Sequence, residues 1–106
     1  VRLIRRDDET FLAWAREDYA CVIFNLHTQH TPAALRKTQM DFRRLIERGI
    51  RYGGSYYLTY HRWATPEQVQ ACYPQFREFL RLKKHYDPQE CFQSDWYRHY
   101  RAMFAG

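Results

Sequence analysis

The chain has 106 residues, 45% hydrophobic and 18% aromatic, which is enough apolar mass for one folded domain and too much for a disordered segment. Seventeen Lys and Arg against twelve Asp and Glu give a formal net charge of +5, which permits an anionic partner without choosing one. No run approaches the roughly 18 apolar residues of a membrane span, and no secretory leader is visible. Cys21, Cys72 and Cys91 are too widely spaced for a zinc pattern and read as reduced thiols of a cytoplasmic protein. The first residue is Val1, so further chain upstream is expected.

Residues 1–5 read as a short strand. Asp7, Asp8 and Glu9 precede Phe11, Leu12, Trp14 and Ala15. Acidic residues favour the positive end of a helix, so a short helix is expected, with a loop anchored by Trp14 as the alternative. The clearest alternation runs over 18–28. It sets Ala20, Val22, Phe24 and Leu26 on one face and Tyr19, Cys21, Ile23, Asn25 and His27 on the other. The first face is apolar and should meet helices. The second mixes a thiol, an amide and an imidazole, and should lie beneath a polar cover such as a ligand or another domain.

Thr31 followed by Pro32 is a helix start: a hydroxyl cap, then a residue that needs no N–H partner. Leu35, Gln39, Phe42, Leu45 and Ile46 recur at helical spacing, and Gly49 is the expected stop. Arg36, Lys37, Arg43, Arg44 and Arg48 belong to the solvated face. Gly53 and Gly54 then open an aromatic run. Paired glycines allow a positive φ or a close approach of a second surface. Tyr56, Tyr57, Thr59 and Tyr60 favour a strand. Trp63 should anchor the next helix start, Thr65-Pro66.

Val69, Cys72, Tyr73, Phe76, Phe79 and Leu80 continue at helical spacing, with Pro74 inside the pattern. Proline removes an N–H and clashes with the preceding turn, so a kink or restart is predicted near Tyr73. Asp87-Pro88 stops the helix, 92–95 is a connector, and 96–104 is an aromatic helix or tail. Cys72 and Cys91 read as packing residues. His27 and His30 find no third ligand, so no metal site is expected. Strands and helices alternate in this short chain. The fold class is therefore α+β, an antiparallel sheet with helices packed on one face.

The order Gly53-Gly54, aromatic run, Thr65, Tyr73-Pro74, Phe76, Phe79, Asp87-Pro88, Phe92 and Ser94 resembles the C-terminal part of FAD-linked oxidases of the vanillyl-alcohol oxidase type. The nearest branch is that of the aldonolactone and decaprenylphosphoryl-ribose oxidases. The resemblance spans about 18–95. It implies a ferredoxin-like half of a cap domain over 1–90, and a tail over 91–106 that returns to an FAD-binding domain of the same polypeptide. FAD is then the cofactor, held mainly by that other domain. A small hydroxyl-bearing sugar, lactone or alcohol is the substrate, and the fragment alone should be inactive.

In the lactone-oxidase branch the run after the glycines carries a His and, three residues later, a Lys. Counted from Gly54, those places hold Tyr57 and Tyr60 here. The resemblance makes these two the catalytic candidates, although a phenol cannot supply the charge of a lysine. It turns Tyr19, Cys21, Asn25 and His61 toward substrate or flavin. Simple alternation would point His61 away from Tyr60, unless an irregularity of the strand brings them together.

A rival reading is a small basic binding module. Trp96, Tyr97, Arg98, His99, Tyr100 and Arg101 interleave rings with cations, as single-strand nucleic-acid sites do. No nucleic-acid motif accompanies them, which speaks against that partner. A third reading, a ferredoxin-like domain that senses a small molecule or only forms a homodimer, leaves the ordered motifs without a reason.

Overall fold

The computed structural model describes all 106 residues. Its elements are β1 (Arg2–Ile4), β2 (Tyr19–Cys21), α1 (Pro32–Arg51), α2 (Pro66–Cys72), α3 (Phe76–Tyr86) and α4 (Asp95–Met103). The fold is α+β, as the sequence implies. The sheet has two short antiparallel strands, with Leu3 opposite Ala20.

The helices begin and end where local chemistry puts them. Thr31 Oγ1 accepts from Ala34 N at 3.2 Å and caps α1. Thr65 and Gln68 cap α2 reciprocally, each side chain taking the other's backbone N–H at 3.2 Å. Pro74 ends α2, and α3 restarts at Phe76. Ser94 Oγ accepts from Tyr97 N and caps α4. One stop differs: Gly49 lies inside α1, and the chain leaves the helix at Tyr52.

Between α3 and α4 the connector is held by two carboxylates. Asp87 pairs with Lys83 and accepts the N–H groups of Cys91 and Phe92. Glu90, with a left-handed φ of 54°, gathers the Tyr97 hydroxyl, Arg101 and Lys84. The cost of that backbone conformation is offset by three charge-assisted bonds at one side chain.

The core lies where α2, α3 and α4 meet. Val69, Cys72, Tyr73, Phe76 and Tyr100 are fully enclosed, and Phe76 touches the rings of Phe79, Trp96, Tyr100 and Phe104. Ile46 of α1 and Tyr56, Leu58 and Ala64 of the preceding loop complete it. The tail is therefore part of this core, and the rings expected to be free for base stacking are not. Tyr97 and Tyr100 are buried, Trp96 packs on Phe76 and Phe79, and Arg98 and Arg101 pair with Asp95 and Glu90.

Three other expectations change. Asp7 does not start a helix. Its carboxylate accepts from Glu9 N and Thr10 N at 3.0 Å, closing a side-chain turn that competes with helix. A loop follows, with Ala13 and Ala15 buried and Trp14 half-buried. The long strand of 18–28 pairs only at Tyr19–Cys21. Beyond it the backbone has no neighbouring strand, and Val22, Ile23, Phe24 and Leu26 are about half exposed on both of the faces alternation assigned. Cys91 is exposed rather than packed.

Candidate active site

Residues 52–65 form a clamped loop, not a strand. The two glycines divide the roles that a glycine pair can take. Gly53 turns the chain with φ 72°. Gly54 lies against α1, where a Cβ would sit 3.0 Å from the Gly49 carbonyl oxygen, and its own N–H donates to that oxygen at 2.8 Å.

From there, side chains do what a partner strand would have done. The Tyr19 hydroxyl donates to Gly53 O at 3.0 Å. The Tyr73 hydroxyl donates to Tyr56 O. Trp96 Nε1 donates to Leu58 O at 3.3 Å, and Arg43 Nε to Trp63 O at 2.6 Å. Arg43 thus leaves the solvated row of α1, unlike Arg36, Lys37, Arg44 and Arg48, which stay exposed. The donors come from β2, the end of α2, α4 and α1, so the loop is pinned from four sides.

The pinned loop forms one wall of a groove of about 430 Å³. The 22–26 segment and the Phe42–Ile46 face of α1 supply the others. Tyr19, Cys21, Tyr57, Tyr60 and His61 all line it. Asn25 does not; it is exposed and outside the groove. A turn over Leu58–Tyr60 breaks the alternation that would have separated Tyr60 from His61.

Rings pack against one another across this wall, Tyr57 edge to face with both Tyr60 and Trp14. Tyr57 meets Tyr60 at 4.8 Å between centroids and Trp14 at 6.1 Å, and Trp14 reaches Tyr19 at 6.3 Å. These side chains are neither sealed inside the chain nor scattered. Tyr60 is 82% exposed and Tyr57 45% exposed. Trp14 and Phe42 belong to the site, although sequence reasoning gave them only anchoring or packing roles.

No lining residue carries a carboxylate, a guanidinium or an ammonium. Tyr56, which lines the groove, and Tyr73, in the core behind it, have their hydroxyl pKa values raised by burial and stay neutral. His61 is half-buried. It stacks on Trp63 at 5.2 Å and on Tyr56 at 6.2 Å, with Phe42 tilted against it at 4.3 Å. Burial lowers its pKa from the ordinary imidazole value, favouring the neutral ring. No three His, Cys, Asp or Glu side chains converge anywhere in the chain. No helix is long and apolar enough to cross a membrane.

The family model for D-arabinono-1,4-lactone oxidase (ALO) matches residues 8–100, most of the chain. No curated protein and no solved structure matches it.

Proposed function

The chain belongs to the D-arabinono-1,4-lactone oxidase family, and we propose that it forms the substrate side of an FAD-dependent oxidase acting on a hydroxyl-bearing lactone, sugar or alcohol. The observation that carries this reading is the gathering of Tyr19, Cys21, Tyr57, Tyr60 and His61 on one uncharged, ring-lined groove within the matched residues.

The family is FAD-linked, and the groove suits one face of a flat ring. Trp14, Tyr19, Tyr57 and Tyr60 offer apolar edges with polar tips. The groove does not suit the dinucleotide's pyrophosphate, since no cation lines it. An FAD-binding domain of the same polypeptide would hold that part. When bound, the flavin supplies the hydride acceptor.

The chain's own residues then position and shield. Tyr57 and Tyr60 donate hydrogen bonds to substrate oxygens, because a neutral phenol donates readily. Tyr19, committed to Gly53 O, fixes the loop rather than the substrate. Val22, Phe24 and Leu26 exclude water from the far wall. Catalysis here is mainly positioning, which can lower a barrier by several kcal/mol.

The test uses the flavin-loaded polypeptide with D-arabinono-1,4-lactone as probe. Bleaching of the flavin absorbance is expected, and Tyr60→Phe should slow it about tenfold or more through one lost hydrogen bond. A wild-type rate in Tyr60→Phe removes Tyr60 from the site. No bleaching by the lactone in the wild type removes that substrate class.

A further inference from the structure

Oxidising a hydroxyl-bearing carbon releases a hydride and a proton, and the proton needs an acceptor within hydrogen-bond reach. The groove offers few. Its aspartates, glutamates, lysines and arginines number none. Its phenols at neutral pH are donors that must first lose a proton before they can accept one. Its hydroxyls, from Thr28, Thr38 and Ser55, are weaker bases still. Its one thiol, from Cys21, carries a proton of its own as the phenols do. One imidazole remains.

Resting on the oxidase reading of the same groove, we propose that His61 is the catalytic proton acceptor, with Tyr57 and Tyr60 orienting the hydroxyl toward it.

The geometry of the ring supports this. His61 is held flat between Trp63 and Tyr56, with Phe42 across it, so its plane is fixed by three rings from two elements. It makes no hydrogen bond within the chain. Nδ1 is enclosed without a partner, while Nε2 is not enclosed. The ring is therefore not committed to a structural bond, as Arg43 is to Trp63 O.

The titratable groups that share the groove are Cys21, Tyr19, Tyr56, Tyr57 and Tyr60. Of the charged groups around it, Arg43 of α1 is tied off on the Trp63 carbonyl, and Arg62 follows His61 in the chain. None is an anion that would hold the imidazole protonated. Burial also works against the charged ring, so His61 reaches its basic form at a lower pH than an ordinary histidine.

The substrate O–H bond breaks and its proton passes to His61 Nε2. The C–H bond breaks, its electron pair leaving with hydrogen as the hydride that the flavin, when bound, would accept. A C=O bond forms, so the substrate loses two electrons, which that acceptor would take up. The imidazolium, disfavoured by burial, returns its proton to water.

Two measurements decide it. First, nitrogen-15 spectra of the histidine rings should show His61 neutral at pH 7 and titrating below the ordinary imidazole range. A ring protonated at pH 7, or one fixed with hydrogen on Nε2, overturns the proposal without any activity being measured. Second, flavin bleaching by D-arabinono-1,4-lactone should rise with pH through the same pKa in the wild type. His61→Gln should lose that limb and slow bleaching about a hundredfold or more. His61→Ala should recover part of the rate with added imidazole, which separates lost chemistry from lost packing.

A wild-type rate and limb in His61→Gln overturns the role of His61 and leaves the oxidase reading intact. Absence of bleaching in the wild type overturns the lactone reading instead, and His61 is then judged on its ring spectrum alone.

Discussion

The two sides of this molecule solve the same problem in opposite ways. In the stretch from Ala64 to Phe104, backbone groups are satisfied inside helices, and aromatic side chains are spent on packing around Phe76. In 19–30 and 52–63 almost no backbone ladder exists. Aromatic side chains stand half exposed, and the loop is held by hydroxyl, indole and guanidinium donors reaching its carbonyls. The helical side is a stiff base, and the groove side is a surface fixed to it at points. A site built this way keeps its functional side chains free while their backbone is immobilised, as positioning chemistry requires.

The comparison breaks first, and most visibly, at Phe76. It has no exposed surface and touches four rings. Phe76→Ala should cost about 3–5 kcal/mol, from lost transfer energy plus a cavity that rings cannot collapse to fill. Urea unfolding measures it. A cost below about 1 kcal/mol would mean that the helical side is not the stabilising one.

Next in size is the contact where the two sides meet. Gly54→Ala would press a methyl group onto the Gly49 carbonyl, a backbone atom that cannot swing aside. We expect a loss of roughly 1–3 kcal/mol, together with a changed near-ultraviolet dichroism as the Tyr56–Trp63 rings shift. Loss of stability with unchanged aromatic spectra would show that the groove does not depend on this close approach.

Thr65→Ala removes the hydroxyl half of the α2 capping box. About 1 kcal/mol is expected, read by the same unfolding curves. Acid tests a further asymmetry. Asp87 is held near a pKa of about 2 by the Lys83 ammonium and the Phe92 and Cys91 N–H groups. Glu90 is held at about 2, first by the Tyr97 hydroxyl, then by Lys84 and Arg101. Both folded values lie below the ordinary ones of 3.8 and 4.5. The unfolded chain therefore takes up protons first as the pH falls. The stability these carboxylates add is complete above about pH 5 and is lost between about pH 4 and 2. Amide exchange at Cys91 and Phe92 should quicken in that window, while the groove lining has no carboxylate to titrate there. Equal quickening around Gly54 would erase the distinction.

What the sequence made legible follows the same division. Thr31-Pro32, Thr65-Pro66, Pro74 and Asp87-Pro88 act within a few residues of themselves, so these helix starts and breaks could be read directly. A strand needs a neighbour, and alternation over 18–28 or β-formers over 56–60 cannot say whether one is present. The side chains that replaced the neighbour, Tyr73, Trp96 and Arg43, lie up to 38 positions from the carbonyls they bind, and nothing local marks them. Tyr19, Cys21, Tyr57, Tyr60 and His61 follow from strand alternation and the ordered motifs together, and they line one groove although little of either strand forms. Asn25 was placed by alternation along a strand that ends at Cys21, and it fell outside. Tyr60 and His61 share the groove because of a turn that alternation could not supply.

The smallest effect is the sharpest one. Tyr60 makes no hydrogen bond and has a single ring neighbour, Tyr57. Removing its hydroxyl should change stability by less than about 0.5 kcal/mol, the range of ordinary surface substitutions. Its counterpart on the other side is Tyr73, whose hydroxyl is buried and donates to Tyr56 O. Tyr73→Phe leaves that carbonyl without its donor, which should cost about 1–3 kcal/mol. The same atom is deleted in both variants. If Tyr60→Phe destabilised the fold as much as Tyr73→Phe, the Tyr60 hydroxyl would be structural, and its exposure on the groove would no longer argue for a role toward substrate. If only Tyr73→Phe is destabilising, a phenol without a structural duty stands at the open face of a clamped loop, where a ligand can reach it.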